Sequence, residues 1–148
     1  MDIETLQAEA ARLILKHFDE DTALRLGLIL TDLAKGLPVV INIRTAHRTL
    51  FHVALPGAQA NNDNWARRKS NTVLMMGRAS LLVGLTNAER KRTLATDGLS
   101  EADYADHGGA VPIIVAGTGM VAVATVSGLP QLDDHRLVVA GITQLLGA

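Results

Sequence analysis

The chain is predicted to adopt an α+β fold, with helices packed on an antiparallel sheet, and three observations carry this. Helical periodicity and strand-like alternation succeed one another in the order helices, hairpin, helix, hairpin, helix. Gly108 to Leu132 carries no charged side chain, but Pro112 and Gly117-Thr118-Gly119 divide it into two short β-branched runs, which suits a buried hairpin better than a membrane helix. The length of 148 residues, with 48% hydrophobic side chains, is enough for one core and implies a single domain spanning residues 1–148.

The elements follow in order. Ile3, Leu6, Ala10, Leu13 and Ile14 recur at helical spacing behind Asp2 and Glu4, and this helix ends before Phe18. Asp21 or Thr22 can cap a second helix, whose face is Ala23, Leu26, Gly27, Leu30, Leu33 and Ala34 and which Gly36 and Pro38 stop. Gly27 within that face indicates close packing against another element. Pro38 to Arg44 reads as a strand with Val39, Ile41 and Ile43 on one side, turning through Thr45–Arg48 into a partner, Thr49 to Ala54. The cluster Asn61-Asn62-Asp63-Asn64 opens a long helix with Ala66, Val73, Met76 and Gly77 on one face, expected to run to about Leu82. Asn87 to Asp106 is polar and is expected at the surface, with a short capped helix at Ser100-Glu101-Ala102-Asp103.

The second hairpin comprises Val111–Ala116 and Gly119–Val126. A two-residue turn at Gly117-Thr118 sets Ala116 opposite Gly119 and Val111 opposite Ala124, with Gly109 beside Val126. Met120 to Val126 is apolar or small on both faces and should be covered on both. Pro130 suits the first position of a terminal helix with Asp133 and Asp134 in its first turn and Leu137, Val138, Gly141, Ile142 and Leu145 facing inward.

Composition excludes several classes of function. A net charge of −1 leaves no footprint for nucleic acid and no attraction to an anionic membrane. The absence of cysteine removes disulfides, thiolate metal sites and cysteine nucleophiles. The first residues carry Asp2, Glu4 and Glu9 rather than a basic start and an apolar block, so no signal peptide is expected and the protein is placed in the cytoplasm. Nucleophile-elbow, Walker and dinucleotide glycine patterns do not occur.

Chemistry is therefore sought at the far end of the second hairpin, where Asp106-His107-Gly108-Gly109 meets Ser127-Gly128-Leu129-Pro130 and Asp133-Asp134-His135. An imidazole held by a carboxylate, at Asp106-His107 or Asp134-His135, can act as a base or a metal ligand. Equally, the acids can serve the helix N-terminus while His107 bonds a turn. No third metal ligand is identifiable, and a phosphate site at Ser127–Pro130 is disfavoured by the two aspartates. The second constellation is Trp65 with Arg67, Arg68 and Lys69, cations that oppose the helix dipole. Lys69, between Ala66 and Val73, points inward. Either Trp65 stacks on a carboxylate-bearing ligand with Arg68 or Lys69 as counter-ion, or the cations form intersubunit ion pairs. His17, His47 and His52 are assigned to the surface or an interface.

Leu50-Phe51-His52, Leu55-Pro56-Gly57, Asn64-Trp65 with Arg68-Lys69, His107-Gly108-Gly109 before Pro112-Ile113, and Val126–Pro130 before Asp134-His135 span nearly the whole chain. In these segments it resembles the haem-binding and haem-degrading domain family, the GlcG/HbpS-like proteins, closest to the branch of small stand-alone members. The resemblance implies a profilin-like sheet of about five strands flanked by helices, assembly into a homo-oligomer, and a capacity to bind haem or a related tetrapyrrole. Lys69 and Thr72 match the family helix. Ser70 and Asn42-Ile43-Arg44 depart from it. The match designates no histidine as an iron ligand; the residues themselves rank His107 before His135.

The resulting expectation is an oligomeric protein that binds a small anionic molecule or a tetrapyrrole. Its candidate site is Trp65, Arg68, Lys69, His107, Gly109, Ser127, Gly128 and His135. No cofactor is demanded by the residues, and haem enters through the resemblance alone. The alternatives are an enzyme using the Asp-His pairs and a partner-binding assembly module.

Overall fold

The computed structural model describes residues 1–147. Helix α1 (Ile3–Ala11) starts at Asp2, whose carboxylate accepts from the Thr5 N–H at 2.8 Å. It is shorter than its apolar spacing predicts. Leu13 turns into the core, and Ile14–Leu15 form a two-residue strand β1, parallel to the later hairpin, leaving Ile14 half-exposed rather than on a helix face. Helix α2 (Glu20–Leu33) is capped by Asp19 rather than by the expected Asp21 or Thr22. Gly27 lies against the Phe51 ring, where a β-carbon would have no room.

Strands β2 (Val40–Arg44) and β3 (Thr49–Ala54) form the first hairpin, with β2 starting two residues after the expected Pro38. Helix α3 (Ala60–Met76) opens on a reciprocal cap between Gln59 and Asn62, with the Gln59 N–H donating to Asn62 Oδ1 at 2.9 Å, so the asparagine cluster caps the helix from within its first turn. It does not continue to Leu82. Gly77 takes a left-handed φ of 71° and closes the helix, and α4 (Ser80–Glu89) begins afresh. Asn87, expected on a surface segment, is a buried residue of α4. The region near Ser100 is a single turn, with Tyr104 N–H donating to the Ser100 carbonyl; a 3-10 turn precedes it at Leu94–Asp97.

Strands β4 (Ala110–Val115) and β5 (Gly119–Ser127) make the second hairpin. The expected register holds at the far end, where Val111 faces Ala124 and Val126 N–H donates to the Gly109 carbonyl at 2.9 Å. Near the turn it slips by one: Val115 faces Gly119, through an irregularity between Ile113 and Ile114. Helix α5 (Gln131–Leu146) follows with Pro130 as its cap rather than its first residue. The sheet order is β1-β4-β5-β2-β3, antiparallel except for β1.

Both faces of β5 are covered, as its composition requires. Ala122, Ala124 and Val126 join Ile41, Ile43 and Ile113 beneath Leu26 and Leu30 of α2 and Val138 and Ile142 of α5. On the opposite face α3 meets the sheet through a small apolar group, Val73 with Ala110 and Val123 and Leu74 and Met120 beside them, and buries the polar Lys69, Ser70 and Thr72 as well. Among the described residues no helix is long and apolar enough to cross a membrane.

Candidate functional site

The far end of the β4–β5 hairpin is held by Lys69, which is only 2% exposed. One turn of α3 further on, Val73 packs on the sheet, and the same face delivers the Lys69 ammonium to three acceptors. These are the carbonyls of Gly108 (3.0 Å) and Val126 (2.8 Å) and Asp134 Oδ2 (3.2 Å). An ammonium has three N–H donors and no acceptor, so this set fits the charged form. Burial lowers the Lys69 pKa, and Asp134 opposes that shift. Burial likewise raises the Asp134 carboxyl, against Lys69 and the N–H groups of Leu129 and Gly128.

Glycines permit this junction. A β-carbon at Gly109, whose φ is +136°, would meet the Lys69 ammonium and the Val126 carbonyl, and one at Gly128, with φ +147°, would meet the Pro38 carbonyl. Asp134 thus accepts the free N–H groups of Gly128 and Leu129 in the turn that enters α5.

The cations at the start of α3 have an internal explanation. Arg67 donates to Asp103 and to the Ala102 carbonyl, Arg68 Nε to the Glu101 carbonyl at 2.7 Å, and Asn71 to the Asp103 carbonyl. They serve the carbonyl end of the Ser100–Tyr104 turn, where positive charge is favourable. Neither Lys69 nor Arg68 stands free as a counter-ion, since each already has partners within the chain.

Trp65 remains, lying between Arg68, whose guanidinium carbon is 4.3 Å from the ring centroid, and His107, packed edge-on at 5.1 Å. His107 is the accessible donor. Its side chain is 53% exposed, its closest charged neighbour is Asp106 at 3.8 Å, too far for a hydrogen bond, and Asp106 is itself held by Asn87 Nδ2 at 3.0 Å. Two clefts flank the Trp65–His107 pair. One, of about 220 Å³, includes Asn62, Lys69, Ser127, Gly128 and Gln131 in its wall; the other, of about 380 Å³, lies between α3, α4 and the segment 92–106.

His135 is elsewhere. Successive helical residues diverge by roughly 100°, so Asp134 faces Lys69 while His135 faces α1, its Nε2 lying 2.7 Å from Glu9 Oε1. It lines a separate, largely apolar cavity of about 70 Å³ with Leu6, Leu13, Leu82 and Val111. The expected Asp134-His135 pair therefore does not form, and Trp65, Lys69, His107, Ser127 and Gly128 come together without His135. Sequence reasoning missed Asn87 and Gln131, whose amide oxygen accepts the Gly108 N–H at 2.8 Å. No local pattern announces either.

Among the described residues no group of three His, Cys, Asp or Glu side chains could hold a metal ion. An iron-bearing macrocycle, which brings its own ligands, would need a single imidazole, and His107 fits that demand because its side chain is 53% exposed and neither ring nitrogen has a hydrogen-bond partner among the described residues.

The fold is a five-stranded sheet covered by helices, with the Trp65–His107 clefts at the far end of its second hairpin. Residues 18–143 match the description "Haem degrading protein HbpS-like", so the chain belongs to that family. Within it, the chain is 46% identical to the UPF0303 protein of Paraburkholderia phymatum, over 99% of this chain and 90% of that one. It is 42% identical to UPF0303 protein SCO2848 of Streptomyces coelicolor, over 98% and 94%. Among solved structures, the Ybr137w protein superposes with a TM-score of 0.92 at 28% identity, covering 100% of this chain and 90% of that one. A PduOC:heme complex superposes with a TM-score of 0.73 over 85% and 93% at 17% identity, a likeness of fold.

Proposed function

We propose that the cleft beside Trp65 and His107 binds haem or a related tetrapyrrole, with the His107 imidazole as the iron ligand. The observation that carries this reading is the unengaged, half-exposed imidazole packed on an indole at the mouth of a cleft. Family membership and the haem named in the PduOC complex support it. Bound iron would supply redox chemistry. The chain's own contribution is to present one nitrogen lone pair, to offer the Trp65 ring as a wall, and to hold the Gly108–Gly109 backbone in place through Lys69 and Gln131. Adding haemin to the purified protein should produce a shifted Soret band that His107→Ala weakens. An unshifted band in the wild-type protein would rule haem out.

A further inference from the structure

If a macrocycle sits on His107, it faces both clefts, because His107 and Trp65 line each of them. The smaller cleft, about 220 Å³, falls below the ~300–1,000 Å³ usual for organic ligands, whereas the larger, about 380 Å³, lies within it. The polar group in the larger cleft with the most unmet bonding capacity is Arg92. Its Nη2 donates to Asp97 at 2.6 Å, but its Nε–H is buried with no acceptor, and a guanidinium has five N–H donors to satisfy.

The backbone directs Arg92 to this place. Lys91, at the end of α4, has a φ of +52° and is the one non-glycine residue with positive φ among the described residues. That turn lets the Arg92 N–H return to the Asn87 carbonyl at 2.9 Å, folding the chain back along the cleft wall instead of continuing the helix. The other cation of the wall, Arg68, is already engaged with Glu101 and stacked on Trp65. Asp106 and Glu101 also line this cleft, so it does not attract anions in general. Selectivity must come from a directed, fork-like contact.

We infer that Arg92 is the residue that receives a carboxylate of the bound tetrapyrrole, making the site selective for macrocycles with free acid side chains. This rests on the haem reading above. Arginine suits the role because its planar fork matches a carboxylate, and the Arg92 side chain, 29% exposed, can present to a carboxylate the Nη N–H groups that its single bond to Asp97 leaves over.

The test compares haemin with haemin dimethyl ester, which has the same ring and iron but esterified acids, in Soret titrations of wild type, Arg92→Met and Arg92→Lys. The wild type should prefer haemin by roughly tenfold, as one charge-assisted hydrogen bond would give. Arg92→Met should bind both about equally, at the ester's wild-type affinity, and Arg92→Lys should fall between. If wild type and Arg92→Met show the same preference, or the wild type shows none, the Arg92 assignment is wrong while the His107 reading stands. If neither compound shifts its Soret band with the wild type, both fall together.

Discussion

The two faces of the sheet are built on different principles. The α2/α5 face is dry: Leu26, Leu30, Ile41, Ile43, Ile113, Val138 and Ile142 are all fully buried and interlock without a polar group between them. The α3 face buries Lys69, Ser70, Thr72 and Thr125, joined by directed bonds such as the 2.8 Å contact between the Ser70 and Thr125 hydroxyls. A dry face tolerates any packing of the right volume, whereas a polar face is stable only when every donor meets its acceptor. The two clefts beside Trp65 and His107 open on the polar face. Fixing a loop such as 106–109 beside a cleft requires bonds with direction, and apolar packing alone does not supply them.

The comparison is broken most sharply by Lys69→Met. It leaves Asp134 buried without its cation and two carbonyls without a donor, so a loss of about 3–5 kcal/mol is expected in urea unfolding. His107 should also lose its fixed position, visible as altered Trp65 fluorescence. Leu30→Ala on the dry face should cost about 2–5 kcal/mol through the cavity it leaves. Trp65 fluorescence should then remain that of the wild type. Similar costs with opposite effects on the cleft would establish the division; a Trp65 signal moved equally by both would dissolve it.

A smaller effect separates two carboxylates. Burial raises Asp134, so its contribution to stability is full below the ordinary aspartate value of 3.8 and is lost as pH rises through its folded value. Asp19, which caps α2 through the Thr22 N–H and hydroxyl, is lowered by those bonds. Its contribution is full above 3.8 and lost as pH falls through its folded value. Carbon-detected NMR titration should show Asp134 titrating above 3.8 and Asp19 below it.

The same contrast explains how much could be read in advance. The dry face was legible because period and burial coincide: Val39, Ile41 and Ile43 alternate, and Val138, Ile142 and Leu145 recur at helical spacing. The far-end register of the β4–β5 hairpin and the inward direction of Lys69 were legible for the same reason. Strand β1 was hidden because Ile14 also continues the helical period, and only its distant pairing with Ile114 makes it a strand. The partners of Arg67 and Arg68 lie more than thirty residues away, so no local spacing points to them. Adjacency of Asp134 and His135 in sequence suggests a pair, but on a helix the two side chains diverge, one to Lys69 and the other to Glu9.

We place ligand chemistry on the polar face, at His107, and not in the cavity under α1, at His135. Haemin quenching of the single tryptophan, Trp65, measured for His107→Ala and His135→Gln, tests this placement most directly. His107→Ala should weaken the quenching titration by roughly tenfold or more, while His135→Gln should leave it at the wild-type midpoint. The reverse order would contradict it.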